Sequence, residues 1–88
     1  MASNPLLNIS VRDYKKFLTN AGCVYNRTKG DHETWEHPNV NRGLTWPISN
    51  DCVPPGIVRQ HLRYLNIDKS DIKHYISGKK KHESKMID

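Results

Sequence analysis

The chain has 88 residues and carries 14 Lys and Arg side chains against 9 Asp and Glu, a formal net charge of +5. A chain of this length supports one domain with a thin core, which excludes large multi-layer enzymes, doubly wound dinucleotide-binding folds and repeat arrays. No apolar run is long enough to cross a membrane, no secretory signal is visible, and two Cys are too few for a disulfide framework. These features predict a small basic domain in the cytoplasm, with reduced thiols and no membrane partner.

The positive charge is concentrated in the first third of the chain and in its last ten residues. Between positions 12 and 29, five basic side chains stand against Asp13 alone. These five are Arg12, Lys15, Lys16, Arg27 and Lys29. Clustered positive charge attracts phosphate groups, so the pattern favours a polyanionic partner, and an ordinary solvated face is the alternative.

An amphipathic helix is predicted from about residue 10 to residue 21. Apolar side chains recur there at spacings of three and four residues. Ser10 is the predicted N-cap, and Asp13 stands where a capping box has an acidic side chain. Gly22 occupies the position at which a left-handed residue ends a helix.

Three short extended segments follow, over residues 23–29, 32–37 and 44–48. Pro47 lacks a backbone N–H, so the third segment must end there or lie at a sheet edge. Strict alternation divides the side chains of the first segment between two faces. One face then carries Tyr25, Arg27 and Lys29, and the other carries Val24, Asn26 and Thr28.

Two further helices are predicted in the last third of the chain. The first begins at Pro54-Pro55-Gly56 and continues with an apolar stripe. A short third helix spans residues 70–76, is capped by Asp68 or Ser70, and ends at Gly78.

The order of these elements predicts an α+β fold. An α-β-β-β-α arrangement forms a three-stranded antiparallel sheet with both main helices on one face and a short extra C-terminal helix. The opposite face of the sheet is then open to solvent or to a partner. We expect the domain to span residues 9–77, between an N-terminal arm (1–8) and a basic disordered tail (78–88).

The densest group of reactive side chains lies between Lys29 and His37. A metal site is not favoured, because His32 and His37 are five residues apart and would diverge on a helix or lie on opposite faces of a strand. Nothing marks Cys23 or Cys52 as an activated nucleophile. The sequence therefore predicts no metal ion and no cofactor.

Two interpretations of this segment remain open. His32 can transfer protons, since an imidazole has an unperturbed pKa of about 6.5, and it follows a Gly turn beside the cations Arg27 and Lys29. Alternatively, the segment is only a binding surface, on which aromatic side chains stack nucleic-acid bases. The aromatic candidates are Tyr25, Trp35 and Trp46. Burial in the core is the competing account of the two Trp residues.

Five motifs occur in a fixed order along the chain. They are Ala21-Gly22, Lys29-Gly30-Asp31-His32, Trp35-Glu36-His37-Pro38, Trp46-Pro47 and Pro55-Gly56-Ile57-Val58-Arg59. The set resembles the HicA family of toxins, in which a short Gly–small–His element follows the first strand, a His-Pro dipeptide ends the second, and a Gly-led helix follows the third. The resemblance extends from about residue 9 to residue 76.

The resemblance implies a fold like that of double-stranded-RNA-binding domains and the activity of a type II toxin. Such a toxin is a metal-independent endoribonuclease that cleaves mRNA, and a HicB-like antitoxin covers its active site. The family's catalytic His falls on His32, Gly30 shapes the turn before it, and His37 takes a structural position. Because the attacking group is the ribose 2′-OH, single-stranded RNA is the expected substrate and DNA is not.

The alternative is a non-catalytic RNA-binding or antitoxin-like protein-interaction domain of the same fold. In either case we expect RNA contacts from basic side chains near His32. These are Arg27, Lys29, Lys15 and Lys16. If an antitoxin binds, Trp35 and Trp46 are the first candidates for its footprint.

The chain departs from the family pattern at three places around His32. Asp31 replaces a small residue, and Glu33 replaces a second His or a variable residue. An acidic neighbour on each side is expected to disfavour the approach of phosphate. The family often has a His soon after the Pro of the third strand, whereas Ile48-Ser49 follow here, so a second proton-transfer group is expected to be absent.

Overall fold

The structure is a computed structural model, and it describes residues 8–78 of the chain. Apart from Asn8 and Gly78, the predicted arm and the predicted disordered tail lie outside the described residues. The elements in chain order are α1 (Val11–Asn20), β1 (Val24–Lys29), β2 (His32–Glu36), β3 (Leu44–Pro47), α2 (Pro55–Leu65), a 3-10 turn (Lys69–Asp71) and α3 (Ile72–Ser77).

The three strands form an antiparallel sheet in the order β1-β2-β3, so the predicted meander is confirmed. β3 lies at an edge of the sheet and ends at Pro47, where the missing N–H predicted it would. The helices cover one face, and the α+β fold of the double-stranded-RNA-binding type is therefore confirmed.

Local signals define the first helix as the sequence predicts. The Ser10 hydroxyl accepts a hydrogen bond from the Asp13 backbone N–H at 3.0 Å, which satisfies one of the free donors at the start of α1. At the other end, Gly22 has a φ of 94°, and the Cys23 N–H donates to the Leu18 carbonyl at 2.9 Å. This left-handed turn releases the chain directly into β1.

The core lies between the helices and one face of the sheet. Its largest side chains come from α1, β2 and β3, and the helices α2 and α3 complete it. The fully buried members are Tyr14, Phe17, Leu18, Leu44, Trp46, Val53, Val58 and Ile72. Trp35 is 8% exposed and Trp46 is fully buried, so the core account of both residues is confirmed. Their predicted use as stacking platforms or as an antitoxin footprint is wrong.

A β-bulge in β1 changes which side chains share a face. Tyr25 pairs with Trp35 and Arg27 pairs with Thr34, so Asn26 is an extra residue between two consecutive partners. Directly opposed residues of an antiparallel pair project to the same side of the sheet. Tyr25 consequently faces the helix side with Trp35, whereas Arg27 faces the open side, and the predicted grouping of Tyr25 with Arg27 is wrong.

A hydrogen-bonded pair of polar groups, from Tyr14 and His61, lies within this apolar core. The His61 ring of α2 is 1% exposed, and the Tyr14 hydroxyl of α1 donates to its Nδ1 at 2.5 Å. The ring also forms a hydrogen bond with the backbone of Thr45 in β3. Burial lowers the pKa of His61 to about 4, and the hydrogen bond to Thr45 opposes this shift. A neutral imidazole thus joins both main helices to the sheet.

This buried imidazole makes the stability of the fold depend on pH. The unfolded chain binds a proton on His61 near pH 6.5, whereas the folded chain does so only near pH 4. Between these values the unfolded state holds more protons, so lowering the pH destabilises the fold. We expect the free energy of unfolding, measured by urea denaturation, to fall by about 3 kcal/mol from pH 6.5 to pH 4.

Variants with a non-titrating side chain test this pH dependence. His61→Gln should be less stable than the parent at pH 7 and should have a flatter profile between pH 6.5 and 4. His74→Gln, which changes an exposed His of α3, should keep the parent slope. An equally steep profile in His61→Gln would contradict the assignment.

Candidate active site

The open face of the sheet carries His32 together with two of the predicted RNA-binding cations. Lys29 lies directly opposite His32 in the β1–β2 pair, and Arg27 lies opposite Thr34, the next residue of β2 on that face. On the β3 side, Pro47 is opposite His32. The face therefore presents an imidazole with positive charge along its β1 side.

The tight turn between β1 and β2 positions these groups. Gly30 has a φ of 61°, in the left-handed region that a residue with a Cβ adopts only at a cost. The chain reverses at Gly30-Asp31, and the next residue, His32, already pairs with Lys29. The Gly turn before His32 is therefore present where the sequence predicts it.

Asp31 contacts both His32 and the segment after β3. One carboxylate oxygen, Oδ1, lies 2.8 Å from Nδ1 of His32, and the other, Oδ2, accepts from the Ser49 hydroxyl at 3.1 Å. The Asp31 carbonyl also accepts from the Ile48 N–H at 2.8 Å. Two atoms of Asp31, the carbonyl oxygen and Oδ2, therefore attach the turn to the end of β3, while Oδ1 contacts His32.

The carboxyl group of Asp31 is held in its charged form. Hydrogen bonds from Ser49 and then from His32 lower its pKa below the usual range. An ionised carboxylate can only accept hydrogen bonds. In the hydrogen bond between Asp31 and His32, the proton must therefore be on Nδ1 of His32.

Glu33 lies on the opposite face from His32, although the two residues are adjacent in sequence. Its carboxylate is buried on the helix side, where it accepts from Trp35 Nε1 at 2.9 Å and lies 3.5 Å from the Lys15 ammonium. The expectation that acidic neighbours flank His32 on both sides is therefore wrong for Glu33. Alternation along β2 removes Glu33 from the face that carries His32.

The four predicted RNA-binding cations are not brought together. Arg27 and Lys29 share the open face with His32, while Lys15 and Lys16 extend from α1 in the other layer. The Lys15 ammonium is engaged by Glu33. The positive charge of the first third of the chain is thus divided between two sides of the molecule.

The remaining candidate groups lie away from the open face or are unreactive. His37 follows β2, and its Nδ1 accepts from the Asn39 backbone N–H at 3.0 Å within the loop. Burial raises the pKa of the Cys23 thiol to about 12, which suppresses its nucleophilic thiolate form. Across residues 8–78, no three His, Cys, Asp or Glu side chains are grouped so that they could hold a metal ion. No helix in that range has the length and apolar character to span a membrane.

Sequence reasoning missed Ser49 and misjudged Asp31. The family pattern has a His soon after the Pro of the third strand, so Ile48-Ser49 indicated only a missing proton-transfer group. Asp31 was expected to disfavour the approach of phosphate, and a contact between Asp31 and Ser49 was not predicted. The antiparallel topology could have indicated the contact between Ser49 and Asp31. In an antiparallel sheet the end of the third strand lies beside the start of the second strand, next to the turn that contains Asp31. The His32 side chain is about half exposed, so a long polymer chain can reach it without entering a cavity.

Comparison with known proteins gives a family match. A family model described as HicA toxin of bacterial toxin-antitoxin matches residues 11–67, a span that includes α1, the whole sheet and α2. No curated protein and no solved structure matches the chain. The family match covers more than half of the chain and includes the turn that carries His32. The chain therefore belongs to the HicA family of toxins from bacterial toxin–antitoxin systems.

Proposed function

We propose that this HicA toxin is a metal-independent endoribonuclease that cleaves mRNA and uses His32 as its catalytic residue. The observation that carries the proposal is the location of His32 on an open sheet face beside Lys29 and Arg27. An imidazole beside fixed cations suits phosphodiester cleavage, because the cations bind the phosphate while the ring moves a proton. The family match supports the toxin role, and the site geometry supports this chemistry.

The reaction that fits the site is attack of a ribose 2′-OH on the neighbouring 3′-phosphate. His32 removes the proton from the 2′-OH as the new oxygen–phosphorus bond forms. The bond from phosphorus to the 5′-oxygen then breaks, and that oxygen takes up a proton from the His32 imidazolium or from water. Lys29 and Arg27 stabilise the negative charge that develops on the phosphoryl oxygens.

The predicted magnitude of this catalysis is modest. Proton transfer by one positioned side chain contributes about 10²- to 10⁴-fold in rate. A toxin can act at this rate because slow cleavage of many messages is sufficient to arrest growth. We also propose that a HicB-like antitoxin neutralises the toxin by covering the open face, which otherwise leaves His32 exposed to any single-stranded RNA.

Replacement of His32 tests the catalytic assignment. His32→Ala should lose RNA cleavage and growth arrest, because the three strands contain no other His. The measurement is gel analysis of a defined RNA together with colony counts after induction. His74→Ala, on the exposed side of α3, should remain fully active, and circular dichroism should show both variants folded. A toxic His32→Ala protein that still cuts RNA would contradict the assignment.

The substrate's 2′-OH provides an independent test. A DNA strand of the same sequence should remain intact, as should an RNA with a single 2′-deoxy position at the cleavage site, since neither can supply the attacking oxygen. Equal cleavage of the DNA strand would exclude this mechanism.

Removal of the open-face cations should weaken RNA binding in a salt-dependent way. For Arg27→Gln and Lys29→Gln, each in a His32→Ala background that prevents cleavage, we expect the magnitude of the slope of log affinity against log salt to decrease by about 0.7 per lost phosphate contact. Fluorescence anisotropy with a labelled single-stranded RNA, repeated at several salt concentrations, gives both the affinity and its salt slope. Arg59→Gln, an exposed change on α2, should leave the slope unaltered. Unchanged slopes for Arg27→Gln and Lys29→Gln would place the RNA elsewhere.

A further inference from the structure

We propose that Asp31, anchored by Ser49, is a positioning residue that fixes the His32 ring in the Nδ1–H tautomer and leaves Nε2 to react with RNA. This inference rests on the proposed ribonuclease function and adds two residues to the site. It gives Asp31 a role in catalysis beyond the expectation that its charge disfavours the approach of phosphate.

The first support is the pair of contacts made by one carboxylate. Asp31 Oδ1 lies 2.8 Å from His32 Nδ1, a distance typical of a charge-assisted hydrogen bond. Its Oδ2 is engaged by the Ser49 hydroxyl at 3.1 Å, so the carboxylate is held from both sides. An imidazole ring bonded at Nδ1 has a defined orientation as well as a defined tautomer.

The second support is the attachment of the backbone. The Ile48 N–H donates to the Asp31 carbonyl at 2.8 Å, which joins the β1–β2 turn to the chain leaving β3. Ser49 is 18 residues from Asp31 in sequence, yet it is brought there by the antiparallel pairing of β2 with β3. The Asp31–His32 pair is therefore part of the sheet framework, although both side chains are exposed.

The charges around the ring favour the same arrangement. Lys29 faces His32 from β1, Pro47 faces it from β3, and Glu33 lies on the other side of the sheet. Asp31 is thus the acidic group that contacts the ring within residues 8–78. When Nε2 accepts the 2′-OH proton, the imidazolium that forms remains bonded to the Asp31 carboxylate, which stabilises its charge. When Nε2 gives up that proton, the ring returns to the Nδ1–H form.

The arrangement is that of the His–Asp pair in a Ser-His-Asp triad, where the carboxylate orients the ring without itself becoming protonated. The oxygen of Ser49 has a different task here. It anchors Asp31 through a hydrogen bond and is not placed as a nucleophile, since the carboxylate lies between it and the ring.

The tautomer can be measured without any RNA. In long-range ¹H–¹⁵N spectra at a pH where the ring is neutral, the His32 signal, assigned by its loss in His32→Gln, should show the Nδ1–H tautomer. Asp31→Asn should convert it to a mixture or to the Nε2–H form, because an amide can also donate to Nδ1. A dominant Nε2–H tautomer in the parent protein would overturn the proposal, whether or not the protein cleaves RNA.

Kinetics supply the second measurement. With Asp31→Asn, kcat should fall about 10-fold or more, since one proton-transfer residue contributes about 10²- to 10⁴-fold. KM for RNA should stay level or fall, because a negative charge near the phosphates is removed. Ser49→Ala should lower kcat less, and Asp51→Asn, which removes an exposed charge after β3, should change neither constant. If Asp31 merely repels phosphate, Asp31→Asn should instead raise kcat/KM with kcat unchanged, which would overturn the proposal.

The two proposals fail in distinguishable ways. A parent protein that does not cut RNA, or a His32→Ala variant that still does, refutes ribonuclease catalysis by His32. The NMR tautomer of His32 then still tests whether Asp31 fixes the ring. A parent protein whose cleavage depends on His32, but whose kcat and tautomer are unchanged in Asp31→Asn, refutes only the positioning role.

Discussion

Successive side chains of β2 lie on opposite faces of the sheet, and both the core and the candidate site depend on this alternation. Trp35 faces the helices and packs in the core, and Glu33 lies beside it with its carboxylate bonded to the indole N–H. His32 must then face the open side. A slip of one residue in the pairing would expose Trp35 and bury His32, so the packing that stabilises the sheet also keeps the imidazole accessible.

Two His side chains of this domain, His61 and His32, lie in different environments and have different roles. His61 is buried between Tyr14 and the backbone of β3, and its lowered pKa keeps it neutral as a structural hydrogen-bonding group. His32 lies half exposed on the outer face beside an ionised carboxylate. Burial therefore decides that one imidazole joins the layers of the fold, and exposure leaves the other available for proton transfer.

The layered fold also places the basic residues of the first third of the chain in different environments, although the charge pattern alone suggested one polyanion-binding cluster. Lys15 is engaged by the buried Glu33 on the helix side, which offsets the cost of placing that carboxylate there. Arg27 and Lys29 lie on the open face because the tight turn pairs Lys29 with His32 and alternation places Arg27 on the same side, whereas the bulge turns Tyr25 to the helix side. A sum of charges along the sequence treats these side chains alike, whereas the sheet separates a structural ion pair from cations that remain available to phosphate.

The sequence by itself determined the features that depend on a few neighbouring residues. The cap at Ser10, the left-handed turn at Gly22, the end of β3 at Pro47 and the element order follow from local hydrogen bonds and allowed backbone angles. The tertiary structure decided which residues of β1 share the face of His32, and it brought Ser49 to Asp31. Both outcomes require the register between strands, and register results from pairing and packing across the whole sheet, which no short stretch of sequence contains.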